Sequence, residues 1–208
     1  FNIILIEDAA EALGSFYKNK HVGTIGKFGI ISFNGNKIIT TGGGGVILAN
    51  KKKDAFRAKH ISNTAKIDHK WKYIHDEVGF NYRLPNLNAA LGYSQIKSLK
   101  FFLKKKRELY NNYRKNFSKL DFVTLFREPK QCKSNYWLQT IILNKKNKNL
   151  RDKILNYTNK MGLETRPIWC LLHKLKPFKN CQKMNLKISE DLEKRIINIP
   201  SSSQLVKF

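Results

Sequence analysis

The chain has 208 residues, 41% of them apolar, enough for one large domain or two small ones and against global disorder. A net charge of +25, from 40 basic against 15 acidic residues, raises nucleic-acid binding. The basic residues, however, are spread nearly everywhere after Lys51 and no RNP, zinc-finger or basic-zipper pattern accompanies them, so no nucleic-acid partner is expected.

"FNIILIEDAA" lacks the basic n-region and cleavage site of a signal peptide and has no initiator methionine. It is expected to begin mid-protein, in a fragment or in a chain numbered from an internal point. "IILIED" (3–8) reads as a strand buried on both faces, with Asp8 at its carboxyl end. "AAEALGS" (9–15) is a short helix or turn, and "KFGIISF" (27–33) and "GGVILAN" (44–50) are two further buried strands. The pattern predicts a mostly parallel α/β sheet, and in such sheets ligands sit beyond the carboxyl ends of the strands. "KKKDAFRAKHIS" (51–62) is helical, and residues 64–85 form a long surface loop. "NLNAALGYSQIKSLKFFLKKKRELYNNYRKNF" (86–117) is a long helix, capped by Asn86 or Asn88, with a break expected near Gly92.

Beyond it the rhythm is α+β. Strands are expected at 122–126 and 136–143, a helix with a stop at Gly162 over 149–163, a short strand at 164–169, and a helix capped by Ser189 running into "IINIP" over 189–202. The domain boundary is set near residue 100, with residues 1–100 the first domain and 101–208 the second. No apolar run approaches the roughly 18 residues of a membrane helix, so no membrane partner is expected. Cys132, Cys170 and Cys181 include no CxxC and suit a reducing cytoplasm; His173, between the last two, matches no usual zinc spacing, so no metal is expected.

"SFNGNKIITTGGGG" (32–45) places Lys37 between a polar loop and four glycines. Neither phosphate-loop pattern is complete: Phe28 follows Gly26-Lys27, and Ile47 stands where G-x-G-x-x-G needs its last glycine. A lysine that forms an imine with an aldehyde cofactor is the alternative. Pyridoxal phosphate would need an acid for the ring nitrogen, which Asp8 offers, phosphate donors, which Ser32 offers, and room beside the backbone, which glycines give.

These residues, in this order, resemble the DegT/DnrJ/EryC1/StrS sugar aminotransferases, which are fold-type I pyridoxal-phosphate enzymes. The blocks that carry the resemblance are "IEDAAEALGS…VGTIGKFGIISFNGNKIITTGGGGVILAN", "GFNYRLPNLNAALGYSQI" (79–96) and "LETRPIWCLLHKLKPF" (163–178). The resemblance implies an α/β fold: part of the large cofactor-binding domain followed by a small α+β domain.

It further implies that Lys37 carries the cofactor and shuttles the proton, that Asp8 pairs with the ring nitrogen and that Ser32 binds the phosphate. Asn81 would reach the phosphate of the neighbouring subunit in a homodimer. Tyr82, Arg83, Arg166 and His173 match positions near the nucleotide-sugar site. Glu11 stands where the family usually has Gln beside the cofactor's phenolic oxygen, Gly43 replaces an acid and Lys27 another. With Glu11 and Gly43 together the chain looks like the branch similar to the transaminases making UDP-4-amino-4,6-dideoxy-N-acetylglucosamine. The implied reaction is cytoplasmic transfer of an amino group, from glutamate as the expected donor, to the 4-keto group of a nucleotide-linked 6-deoxy sugar. The chain matches only about the C-terminal half of such an enzyme, so a catalytically incomplete remnant is the alternative, and cofactor binding by these residues alone is expected to be poor. Relatives that lack the lysine and act as dehydratases or regulators are set aside because Lys37 is present.

Overall fold

A computed structural model describes residues 1–206 and divides the chain into two compact units. The first comprises residues 1–104 and 128–137, the second residues 105–127 and 138 onward.

The first unit holds β1 (Ile6–Asp8), β2 (Phe16–Tyr17), β3 (Lys20–His21), β4 (Phe28–Ser32), β5 (Gly45–Ala49), α1 (Lys52–Ser62), β6 (Lys66–Ile67), β7 (Ile74–His75), α2 (Asn86–Lys97) and the start of α3 (Leu99–Phe117). Its main sheet runs β1-β4-β5; β1 pairs parallel with β4, and β4 antiparallel with β5. β4 alternates, burying Ile31 while Ile30 is exposed. That is the period-2 pattern of a sheet covered on one face. The continuous apolar runs of β1 and β5 predict burial on both faces. Here Ile3, Ile4, Leu5 and Ile6 are 57–82% exposed, and Val46 and Ile47 are exposed as well. The composition is that of a two-sided strand, but Val46 and Ile47 point to opposite faces of β5, so within this unit neither face is fully covered there.

The expected long helix is two helices, and the break falls at Ser98 (φ −93°, ψ 1°), six residues beyond Gly92. Pro85 precedes α2 as its cap position, so neither Asn86 nor Asn88 caps it. The loop over 64–85 is not structureless. β6 and β7 pair antiparallel, Asn63 bridges Asn81, and Phe80 and Tyr82 N–H groups donate to Ile61 and Ser62 carbonyls at the end of α1. Arg57 forks onto Glu77, and His60 Nε2 meets Asp76 Oδ1 at 2.7 Å. The His60 hydrogen bond, opposed by burial, holds the Asp76 carboxyl below its ordinary range.

After α3, β8 (Val123–Leu125) belongs to the second unit. Residues 128–137, with β9 (Cys132–Lys133), return to the first unit, where β9 pairs with β2. The second unit continues with β10 (Gln139–Leu143), α4 (Leu150–Lys160), β11 (Arg166–Pro167), α5 (Lys187–Glu193) and β12 (Ile196–Ile199). Its antiparallel sheet runs β11-β12-β10-β8. Its core is Val123, Leu125, Ile141, Leu143, Ile196, Ile197 and Ile199 with Leu109 and Tyr110 of α3. α4 ends before Gly162, whose φ of 77° makes the expected stop. Ser189 lies inside α5 and caps nothing; "IINI", expected to continue that helix, is β12, the β-branched strand at the middle of the sheet.

Among the described residues no helix is long and apolar enough to cross a membrane.

Candidate active site

Lys37 sits in the loop after β4. Four bonds close this loop on itself: Phe33 N–H to Gly44 O, Thr41 N–H to Phe33 O, Lys37 N–H to Asn34 O and Thr40 Oγ1 to Phe33 O. Gly42 and Gly44, at φ 80° and 93°, make the turn back into β5 in a conformation that costs other residues about 1–2 kcal/mol.

α2 holds the loop from one side with three residues on one face. Asn88 Nδ2 donates to Thr41 O, Gln95 Oε1 accepts from Thr40 N–H, and Gly92 leaves room for the Thr41 methyl. A Cβ on Gly92 would lie 2.7 Å from Thr41 Cγ2. The spacing "NAALGYSQ" therefore has a packing cause.

Lys37 Nζ donates to Glu11 Oε1 at 2.9 Å and lies 4.1 Å from the centre of the Trp137 ring. Its side chain is 12% exposed, against 52% for Glu11. Ala10, Glu11, Leu13, Ser32, Ile38, Ile39 and Trp137 line one small cleft with it. The Ser32 hydroxyl accepts from Asn34 N–H at 3.2 Å. Asp8, exposed at the end of β1 beside Ile30 of β4, accepts from Ala10 N–H at 3.2 Å. Lys37, Glu11 and Ser32 thus share a cleft, and Asp8 closes the neighbouring strand.

Glu7 was missed. Its carboxylate accepts from the backbone N–H groups of Gly23, Ile25 and Gly26 at 2.6–2.7 Å. Burial raises its pKa, but these three donors and the charge of His21 outweigh burial and hold it below the ordinary range. Glu7 therefore fixes the V-G-T-I-G turn that leads into β4. An acid beside Asp8 at a strand end was the available signal.

Asn81, Tyr82 and Arg83 are not among the residues that line this cleft. Asn81 is exposed at its bridge to Asn63, and Tyr82 stacks on Phe80 with ring centres 5.4 Å apart. Arg83 is exposed along a groove with Gly43, Gly44 and Gly45. Arg166 and His173 belong to the second unit, where Arg166 contacts Glu164 and Asn159, and His173 Nε2 meets Glu190 at 3.0 Å. Cys170 and Cys181 are exposed free thiols. Among the described residues one trio with metal-ligand chemistry, His60, Asp76 and Glu77, has its atoms within 4.8 Å of one another. The Arg57 guanidinium already supplies Glu77 with a cation.

The model of the DegT/DnrJ/EryC1/StrS aminotransferase family matches residues 1–207. The GDP-perosamine synthase of Escherichia coli O157:H7 is 37% identical over 204 residues, covering 98% of this chain and 54% of that protein. The putative pyridoxal phosphate-dependent aminotransferase EpsN of Bacillus subtilis (strain 168) is 36% identical over 211 residues, 100% of this chain and 54% of that protein. Helicobacter pylori PseC, an aminotransferase involved in the biosynthesis of pseudoaminic acid, superposes with a TM-score of 0.91 at 25% identity, over 99% of this chain and 56% of that one. The chain therefore spans about half the length of the curated relatives it matches, 54% in both cases above.

Proposed function

Because the chain belongs to the DegT/DnrJ/EryC1/StrS aminotransferase family, we propose that it carries the reactive lysine of a pyridoxal-phosphate aminotransferase acting on nucleotide-linked sugars. The observation that carries the reading is the cleft that Lys37, Glu11 and Ser32 line together, with the Lys37 amine on the Glu11 carboxylate. An amine for the aldehyde, a hydroxyl for the phosphate and the Asp8 carboxylate at the adjacent strand end are the donor set the cofactor requires, so the residues present fit it.

When bound, pyridoxal phosphate supplies an electron-withdrawing ring that makes the proton on an amino-bearing carbon removable. Lys37 holds the cofactor and then moves that proton through Nζ, as base and as acid. Asp8 keeps a proton on the ring nitrogen, and Ser32 donates its hydroxyl to the phosphate. Glu11, whose carboxylate holds the resting amine, would serve the phenolic oxygen of the bound cofactor. Asn81 serves the phosphate of the neighbouring subunit in a homodimer, and Tyr82, Arg83, Arg166 and His173 contact the nucleotide sugar. The reaction moves an amino group, with glutamate as donor, to the 4-keto group of a nucleotide-linked 4-keto-6-deoxy sugar, in the cytoplasm, for cell-surface glycan synthesis.

Amino transfer assayed against a panel of 4-keto sugar nucleotides, UDP- and GDP-linked, tests the reading. Activity that Lys37→Ala abolishes supports it, and activity that survives Lys37→Ala refutes it.

A further inference from the structure

Trp137 comes from the segment that returns to the first unit, far from Lys37 in sequence. Its indole N–H donates to Asn36 O at 2.7 Å, across a separation of 101 residues, and its ring faces the Lys37 amine. One side chain therefore fixes both the backbone just before Lys37 and the end of the Lys37 side chain. Lys18–Tyr17, Lys27–Phe28, Lys52–Phe56 and Lys97–Tyr93 join sequence neighbours and arise from local geometry. Lys37–Trp137 at 4.1 Å, like the longer Lys133–Phe16 contact at 6.0 Å, requires the tertiary fold.

Trp137 is itself held. Asn135, 5% exposed, accepts the Trp137 N–H on Oδ1 at 2.8 Å and donates through Nδ2 to Glu11 O and Leu13 O at 2.6 and 2.9 Å. Its own N–H donates to Ser15 Oγ at 3.0 Å. Tyr136, between them, has φ 49°, a left-handed conformation uncommon for a bulky residue, and it breaks the strand that the alternation predicted from residue 136. The three residues thus grip the Glu11 segment with one side chain and the Lys37 loop with another.

We propose that Trp137, braced by Asn135, is a positioning residue that sets where the Lys37 amine sits and how accessible it is. The inference rests on the reading that Lys37 is the reactive amine. A ring face attracts the ammonium without occupying its N–H donors, so it restrains a side chain with high rotamer entropy while leaving the nitrogen able to react.

The test compares the wild type with Trp137→Leu and Trp137→Phe in two measurements. The first is competitive acetylation by acetic anhydride, read lysine by lysine by peptide mass spectrometry, which needs no cofactor. The second is the pyridoxal phosphate concentration that half-saturates visible absorbance. Cation–π attraction of this kind corresponds to about two- to thirty-fold, so Trp137→Leu is expected to raise Lys37 acetylation and the half-saturating concentration within that range. Acetylation of the other lysines should not change, and Trp137→Phe, which keeps a ring face, should restore most of the effect. Should Trp137→Leu fail to fold, Asn135→Ala, which loosens Trp137 without removing it, is expected to shift Lys37 acetylation in the same direction. Lys37 acetylation at the wild-type rate in a folded Trp137→Leu or Asn135→Ala protein overturns the proposal. A wild type that takes up no cofactor refutes the functional reading instead, and the acetylation comparison still decides the positioning role.

Discussion

Lys37 Nζ and Glu11 Oε1 form an ion pair at 2.9 Å, between a side chain 12% exposed and one 52% exposed. Half in solvent, such a pair contributes roughly 0–1 kcal/mol to stability. On the proposed role of Lys37 its consequence is chemical, because the amine would have to leave Glu11 before bonding to an aldehyde. Glu11→Gln is therefore expected to change the unfolding free energy by less than about 1 kcal/mol and to speed uptake of pyridoxal phosphate. Stopped-flow absorbance checks the rate; uptake unchanged or slower would contradict the role.

Gly92 lies against Thr41 in the turn that succeeds Lys37. Alanine is a better helix former by about 1 kcal/mol, so an exposed glycine in α2 would be improved by the change. Here the added methyl meets Thr41 Cγ2 on a residue only 2% exposed. Gly92→Ala is expected to destabilise by about 1–3 kcal/mol, and Thr41→Ser, which removes the opposing methyl, to recover much of it. Urea denaturation of the two single variants and the double variant measures the coupling.

Glu7 gives a pH signature. Its folded carboxyl titrates below its ordinary 4.5, so its contribution is present above that value and is lost as the pH falls through the lower folded value. Glu7→Gln leaves charge-assisted backbone bonds weakened and is expected to cost about 1–3 kcal/mol at neutral pH. The difference from wild type should shrink in acid, as thermal melts across pH 3–7 would read; a constant difference would argue against a charge effect.

Lys106 acts in the same direction, in a more alkaline window and through burial alone. Burial in the second unit lowers its pKa from 10.5 to about 8, while Nζ donates to Ser201 O. The unfolded chain then binds more protons between those values, so stability rises with pH across that window, by up to about 3 kcal/mol. Lys106→Met should flatten the rise, and the slope of unfolding free energy between pH 8 and 10.5 measures it.

How legible each feature is in the sequence depends on how local its causes are. β4, α1 and the stop at Gly162 depend on neighbours a few residues away, and their patterns located them. Lys37, Glu11 and Ser32 came from motif order, and the structure gathers them in one cleft. Asn135 and Trp137 were out of reach, since their partners lie about a hundred residues away and no local pattern links "SNYW" to "GNK". The Ser189 error is different. A serine with acids after it imitates a cap, but α5 begins at Lys187, and the β-branched run "IINI" is the better signal for a strand at residues 196–199.

On the proposed reading Lys37, among 40 basic residues, is the amine that takes the cofactor. Incubation with pyridoxal phosphate, borohydride reduction and peptide mapping by mass spectrometry tests it directly. The expected result is a reduced adduct concentrated on Lys37 and lost in Lys37→Ala. Adducts scattered over the surface lysines, or concentrated on any other one, would contradict it.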